Sequence, residues 1–264
     1  MNPLKDYLPP KAVRILTGMM YGWRGNYSSW KTAQSKCSGY DSDIIFEKVK
    51  SALLKVKNGE AVFERDSVIY DKVQYSFPLL AALSQVALNS NSQLNVLDFG
   101  GSMGSAYFQN RNQFKELTSF SWSIVEQEHF VTEGKKTFAD DKLHFYYNIN
   151  ECLKDQKINT VLLGSVLQYI EKPYKLLDEI LKHNINYIII DRTPVFIDRE
   201  ERITIQKVPK KIYEAQYPCW ILNEQKIIDH ITEKGYQLMF DSVANESMNL
   251  AHGLLKGYFF KLVK

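Results

Sequence analysis

The sequence lacks the features of nucleic-acid-binding and membrane-spanning proteins. Its formal net charge is only +3, and acids are interleaved with the lysines along all 264 residues, so no basic stripe faces a phosphate backbone. No apolar run approaches the roughly 20 residues of a membrane span, and residues 1–10 carry charges and prolines where a secretory signal needs an apolar core. We therefore expect a cytoplasmic protein without nucleic-acid partners or an integral membrane segment.

Cysteine and histidine are too few and too scattered to indicate a metal site. Cys37, Cys152 and Cys219 are odd in number, far apart and without C-x-x-C spacing, which indicates reduced thiols. No pair of the five histidines has a metal-ligand spacing such as H-x-x-x-H. The sequence therefore predicts no disulfide framework and no catalytic metal.

The first ninety residues differ in pattern from the rest of the chain. Helical periodicity is present at 11–20 and 44–56, and the stretch between them is rich in Gly, Ser and Trp. A strongly apolar helix is predicted at 77–88, with Pro78 in its first turn. Residues 1–90 are therefore expected to form a helical cap, and residues 91–264 the core, the two making one structural unit.

From residue 94 onward, short apolar strands alternate with helical stretches, which predicts an α/β fold with a parallel sheet covered by helices on both faces. Two further strand-like runs, 236–243 and 254–263, follow a helix at 223–234 and indicate a closing antiparallel hairpin. The sequence thus predicts a Rossmann-like, mostly parallel seven-stranded sheet. Its five parallel strands are expected at 94–99, 121–125, 143–147, 160–163 and 187–190.

The most informative segment is the glycine-rich turn that follows the first of these strands. Glycines let the backbone approach a ligand, and the helix that begins here presents free amide groups. In open α/β sheets this turn lies at the carboxyl edge, where ligands bind; a tight structural turn is the alternative. The cofactor-binding candidates of this turn are Gly100, Gly101, Ser102 and Gly104.

The acid that precedes the turn helps to choose between two cofactors. A dinucleotide fingerprint requires G-x-G-x-x-G, and Phe99 occupies the place of its first glycine. Asp98 would repel a pyrophosphate, but it suits the ammonium and sulfonium groups of S-adenosylmethionine. The charge pattern therefore favours S-adenosylmethionine.

Polar residues at the ends of the following strands extend the candidate cofactor site. Glu126, followed by Gln127, stands where an acceptor for the ribose hydroxyls is expected, although a solvated carboxylate is the alternative. Asn148 could offer its amide to the adenine edge or serve as an ordinary turn residue. Ser165 and Gln168 belong to a polar loop that would cover the methionine part of the cofactor.

The acceptor-side candidates lie further along the same edge. Asp191, at the end of the fifth strand, is the first choice for a general base, with an N-cap or an ion pair to Arg192 as the alternative. Five residues are predicted to contact the acceptor, although Arg65 could instead tie the cap to the core, Tyr169 could pack against the following helix, and Tyr217 and Trp220 could anchor the loop after the fifth strand. They are Arg65, Tyr169, Arg192, Tyr217 and Trp220.

The glycine turn resembles that of class I S-adenosylmethionine-dependent methyltransferases, in which the first strand ends D-x-G-x-G-x-G. This sequence departs from that pattern at Ser102, where the middle glycine is expected. Nearly the whole chain also resembles a little-characterised bacterial family assigned as methyltransferases and associated with surface-polysaccharide biosynthesis loci. The residues that carry this resemblance are Trp30, 39–41, 64–67, 97–102, 125–127, 167–169, 217–218 and Trp220.

The resemblance implies a methyltransferase that acts on a small acceptor such as a sugar, a nucleotide sugar or a glycan precursor. Two other classes remain open. A non-catalytic module of a glycan-assembly complex could keep the fold and the ligand, and a nicotinamide-dependent sugar oxidoreductase could use the same edge of the sheet. The sequence leaves open the acceptor, the methylated atom and the oligomeric state.

Overall fold

The computed structural model describes residues 21–37, 42–208, 215–245, 248 and 250–263, with only the backbone described for 42–44. The helix expected at 11–20 and the 39–41 turn lie outside the described residues. No helix of the described chain is both long enough and apolar enough to cross a membrane.

Five parallel strands form the centre of one sheet, as the alternating pattern predicts. Along the sheet they follow the order β6-β5-β4-β7-β8, which is the 3-2-1-4-5 order of doubly wound folds. The switch point of this order lies between β4 and β7, so the crevice at their carboxyl ends is where a ligand is expected. The strands are β4 (Gln93–Phe99), β5 (Ser119–Val125), β6 (Leu143–Tyr146), β7 (Thr160–Gly164) and β8 (Tyr187–Phe196).

The end of the chain closes the sheet with an antiparallel hairpin. Strand β12 (Gly253–Leu262) lies antiparallel between β8 and β11 (Tyr236–Val243). Together with the five parallel strands this makes the mostly parallel, seven-stranded part of a ten-stranded sheet. The predicted Rossmann-like fold is therefore confirmed.

Helices cover both faces of this sheet because each presents one apolar side to it. On one face α3, α4 and α5 pack around buried aromatic residues such as Trp122 and Phe138. On the other face α6, α7 and α8 contribute to a second buried cluster, which includes Ile188 and Ile190 of β8. The six helices are α3 (Phe77–Asn89), α4 (Ser105–Phe114), α5 (Glu128–Thr137), α6 (Ile149–Asp155), α7 (Pro173–Leu181) and α8 (Glu224–Thr232).

The N-terminal segment contains strands as well as the expected helices. Helices α1 (Trp30–Gln34) and α2 (Ser42–Lys57) accompany β1 (Gly22–Tyr27), β2 (Phe63–Arg65) and β3 (Val68–Tyr70). The expectation of a purely helical segment overlooked these strands. Two of them are only three residues long and contain charged or polar positions, so they give no readable alternation.

Residues after β8 form a further pair of strands that joins the N-terminal segment to the sheet. Strand β9 (Arg202–Lys207) pairs antiparallel with both β1 and β10 (Gln216–Asn223), and β10 runs parallel beside the end of β8. We call β1, β9 and β10 the three-stranded extension. It brings the beginning of the described chain to the same edge as the carboxyl ends of β7 and β8.

Candidate functional site

The glycine-rich turn adopts backbone conformations that explain its composition. Gly100 and Gly104 have φ angles of 73° and 107°, in the left-handed region that favours glycine. A Cβ added at Gly100 would lie 2.5 Å from Cγ2 of Val166, so the turn also requires a residue without a side chain at this position. Ser102 has a φ of 54° at the position where the resemblance expects a glycine, and this departure leaves a serine in a strained conformation.

Asp98 is buried beneath this turn. Side chains alternate along β4, so Asp98 shares the face of Val96 and reaches Trp122, whose indole Nε1 donates to Asp98 Oδ2 at 2.9 Å. The residue is 2% exposed. Burial raises its pKa to about 7, and repulsion from Glu126 adds to the rise. A cation bound beside the carboxylate would offset that cost.

Glu126 follows β5 and lies on the other side of the turn. The backbone N–H of Gln127 donates to its Oε2 at 2.6 Å, and the backbone N–H of Ser102 also donates to the carboxylate. Burial nevertheless raises the pKa of Glu126, the largest effect on this group. Two backbone donors therefore fix this carboxylate at the rim of the turn, where it can accept hydroxyl hydrogen bonds.

Two hollows meet at the carboxyl edge of the sheet. The first hollow has a volume of about 460 Å³, and the second, a volume of about 960 Å³. Gly100, Ser165, Tyr169 and Tyr217 line both. An elongated ligand could therefore run from one hollow into the other across the glycine turn.

Most of the predicted site residues line these hollows. Those on the first hollow are Arg65, Asp98, Gly100, Gly101, Ser102, Ser165, Gln168, Tyr169, Asp191, Arg192 and Tyr217. Those on the second hollow are Gly100, Glu126, Gln127, Ser165, Tyr169 and Tyr217. The structure thus brings together residues that are separated by up to 152 positions in the sequence, which supports a common site.

Three predicted site residues do not line either hollow. Gly104 is the residue before α4. The side chain of Asn148 caps α6, its Oδ1 accepting from the backbone N–H of Glu151 at 2.9 Å. Trp220 stacks on Trp30, with ring centroids 6.4 Å apart. The contacts of Asn148 and Trp220 thus have a structural explanation. That Asn148 binds the cofactor and that Trp220 binds the acceptor stay predictions.

The loop after β7 holds an unusual buried amide. Gln168 is 2% exposed, and its Nε2 donates to Ser165 Oγ at 2.9 Å. Its Oε1 has no hydrogen-bond partner among the described residues. A buried acceptor without a partner costs free energy, so this oxygen is well suited to receive a donor from a ligand in the first hollow.

Asp191 lines the first hollow and is 5% exposed. Its Oδ2 pairs with Arg192 Nε at 3.1 Å, and its Oδ1 accepts from Ser76 Oγ at 3.3 Å. The ion pair that the sequence offered as an alternative is therefore present. Arg192 has a φ of 53°, and such strained positions often belong to functional sites.

Sequence reasoning missed several residues of the site. Glu64, on β2, is buried in the first hollow, where its carboxylate accepts from Ser105 Oγ and from the backbone N–H of Ser67. Burial raises the pKa of Glu64. Trp23 and Gln206 also line this hollow. In the sequence, Glu64 could have been found from its place in the 64–67 segment that carries the family resemblance.

With this geometry established, the chain can be compared with known proteins. No family model matches it, and no curated protein matches it. It is similar to the N-terminal domain of EvdMO1 crystallised in the presence of SAH and D-fucose, at 12% identity and a TM-score of 0.47, over 86% of this chain and 100% of that chain. It is also similar to magnesium protoporphyrin IX methyltransferase (ChlM) from Synechocystis PCC 6803 with bound SAM, at 12% identity and a TM-score of 0.48, over 86% and 99% of the two chains.

A third solved structure is a S-adenosylmethionine-dependent methyltransferase from Clostridium acetobutylicum ATCC 824, at 10% identity and a TM-score of 0.43, over 70% of this chain and 92% of that chain. These likenesses are distant. The fold assignment therefore rests on the strand order of this chain, and functional inference must rest on its own site residues.

Proposed function

We propose that the protein is an S-adenosylmethionine-dependent methyltransferase that acts on a small molecule. The observation that carries the proposal is the position of Asp98 and Glu126 on either side of a glycine turn at the switch point of the sheet. Buried acids at this place favour a cationic nucleoside ligand over a dinucleotide with its anionic pyrophosphate.

The residues at the turn fit the parts of this cofactor. Glu126 would accept the ribose hydroxyls in the second hollow, beside Gln127. Asp98 and the unpartnered Oε1 of Gln168 would hold the ammonium end in the first hollow. Gly100 and Gly101 let Val166 and the Asp98 carboxylate pack directly against the turn, because a Cβ at either position would meet one of these side chains at 2.5 Å.

When bound, S-adenosylmethionine supplies a methyl group activated by its sulfonium. The protein's part is to align the acceptor in line with that methyl and to exclude water. Asp191 is the proposed base for an oxygen or nitrogen acceptor, and Arg192 positions its carboxylate at 3.1 Å. Arg65, Tyr169 and Tyr217 are proposed to contact the acceptor, since all three line the first hollow.

The proposal also covers the chemical class of the acceptor and the cellular location of the enzyme. We propose a sugar, a nucleotide sugar or another glycan precursor as the acceptor, and a cytoplasmic enzyme of surface-polysaccharide biosynthesis. The support for this is the resemblance of the motifs, together with the aromatic residues Tyr169 and Tyr217 in the first hollow, because aromatic rings pack well against the apolar faces of sugars.

Isothermal titration calorimetry with S-adenosylmethionine and its demethylated product SAH tests the proposal. We expect saturable binding of both at one site per chain, and weak or no binding of reduced nicotinamide dinucleotide. Absence of binding of either adenosyl compound at millimolar concentration would contradict the cofactor assignment. Tight binding of the dinucleotide would instead favour an oxidoreductase.

A non-catalytic module is the second candidate, and one observation favours it. The carboxylate of Asp191 already has structural partners in Arg192 and Ser76, and ion-paired acids often serve only to hold a structure together. A panel of nucleotide sugars separates the two candidates. Formation of SAH with any member supports the enzyme, and SAH binding without turnover across the panel supports the module.

A further inference from the structure

A row of three side chains crosses the three-stranded extension at the mouth of the first hollow. In the strand register Gln206 is paired with Trp23 on one side and with Tyr217 on the other. Directly paired residues of antiparallel strands lie on the same face. All three line the first hollow. Gln206 and Tyr217 lie on consecutive strands, but Trp23 lies 183 positions before Gln206, so no local motif reveals the row.

The central amide of this row is held in one orientation. The hydroxyl of Tyr169 donates to Gln206 Oε1 at 2.7 Å. Since the hydroxyl acts as donor, the oxygen of the amide faces Tyr169 and the Nε2 group points away from it. No described residue accepts a hydrogen bond from Gln206 Nε2. The amide therefore offers two N–H donors at the hollow, oriented by an aromatic residue of the β7 loop.

The residues on either side of the amide are aromatic. Trp23 uses its only polar group, the indole Nε1, to donate to Cys219 Sγ at 3.2 Å. Tyr217 packs edge-to-face against Tyr169, with ring centroids 5.0 Å apart. The row thus combines two aromatic side chains with one fixed amide, and it carries no charged group.

We infer that the row formed by Trp23, Gln206 and Tyr217 is the surface that recognises the acceptor, and that the acceptor is a neutral, hydroxylated ring. The apolar face of such a ring would lie on Trp23 and Tyr217, and a ring oxygen or hydroxyl oxygen would accept from Gln206 Nε2. This inference rests on the proposed function, because the acceptor must lie beside the cofactor. Tyr169, which lines both hollows and holds Gln206, connects the two positions.

Saturation-transfer NMR with the full chain and SAH tests this inference. The probes are the methyl glycosides of glucose, galactose, mannose and rhamnose, with phenol as a planar apolar probe, each at about 10 mM because ligands of this size bind weakly. We expect transfer to at least one glycoside with the wild-type protein, strongest at the protons of one ring face.

Gln206→Glu is the decisive variant. A carboxylate keeps the size of the side chain and still accepts from Tyr169, but it removes both N–H donors. We expect the affinity for the glycoside to fall by about tenfold or more, while the SAH affinity measured by calorimetry stays within about twofold. Trp23→Ala should also reduce glycoside transfer. The matched control is Gln237→Glu on the exposed part of β11, which should change neither.

The possible failures are distinguishable. If the wild-type protein binds SAH but shows transfer only to phenol, or to none of the probes, the inference is overturned and the proposed function stands. Unchanged glycoside binding in Gln206→Glu likewise overturns the inference. If the wild-type protein does not bind SAH, the proposed function falls, and the inference falls with it.

Discussion

The proposed cofactor side and the proposed acceptor side of the site are built in different ways. The cofactor side consists of backbone turns that directly follow β4 and β5, with Asp98 and Glu126 beside them. The acceptor side is assembled from side chains of β1, β2 and β9, including Trp23, Glu64 and Gln206. The first depends on local conformation, whereas the second depends on long-range strand pairing. Substitutions on the two sides should therefore have separable effects.

The largest expected effect is on the backbone of the cofactor side. In Gly100→Ala the new Cβ would lie 2.5 Å from Val166 Cγ2 at a φ of 73°, so either the turn or the β7 loop must move. We expect SAH affinity, measured by calorimetry, to fall by about 100-fold or more.

Gly59→Ala is the matched control for that change. Gly59 has a similar φ of 78°, but a Cβ there would meet nothing within 4 Å. It should lose some stability from the same backbone strain while keeping its SAH affinity within about twofold. Equal losses of affinity in the two variants would show that strain alone, rather than the geometry of the cofactor turn, is responsible.

The next effect separates the two acids of the cofactor side. Asn at position 98 can still accept from Trp122, but it loses the attraction to the ammonium group, which is the one positive group of SAH. We expect SAH affinity to fall by about 30-fold in Asp98→Asn and by about fivefold in Glu126→Gln, whose proposed partners are neutral hydroxyls. Equal, negligible losses in a calorimetric comparison would contradict the proposed pose.

A smaller effect should appear when pH is varied. Because burial raises the pKa of Asp98 to about 7, protons compete with the cofactor's ammonium group for this carboxylate. Below that pKa, SAH affinity should fall by up to about tenfold per pH unit. Asp98→Asn should remove most of this dependence, and calorimetry across the range measures it. A wild-type affinity that does not change with pH would contradict the role of Asp98.

The same group predicts how stability depends on pH. An acid whose pKa is raised by folding favours the folded state fully below its unfolded value of 3.8, and this contribution is lost as pH rises through about 7. Relative to wild type, Asp98→Asn should therefore gain stability as pH rises, by at most about 4 kcal/mol. Urea unfolding of both proteins in acidic and slightly alkaline buffer measures the difference, and a constant difference would contradict it.

The smallest effect is expected at Ser102. Its φ of 54° is costly for serine, so Ser102→Gly should stabilise the protein by about 1 kcal/mol through relief of strain, partly offset by glycine's greater unfolded-state entropy. The Ser102 backbone N–H that donates to Glu126 is kept. SAH affinity should therefore change by less than about threefold. A large loss of affinity would indicate a direct role for the serine hydroxyl.

The contrast also explains how much of the molecule could be predicted from sequence. Strands β4 to β8 are short, mainly apolar stretches that alternate with helical segments, and the turn after β4 contains its own glycines and acid, so both could be located from local pattern. Pairing of Gln206 with Trp23 joins residues 183 positions apart, and nothing near either residue signals it. Asn148 illustrates a second limit of local pattern. Its position at a strand end suggested a contact with the cofactor, and the sequence did not indicate that its side chain caps α6.

A crystal structure with bound SAH would locate the cofactor site. We expect the adenosyl group in the second hollow, with its ribose hydroxyls on the carboxylate of Glu126, and the ammonium end beside Asp98 across Gly100. SAH bound elsewhere, or side chains filling the space beside Asp98 and Glu126, would contradict this expectation.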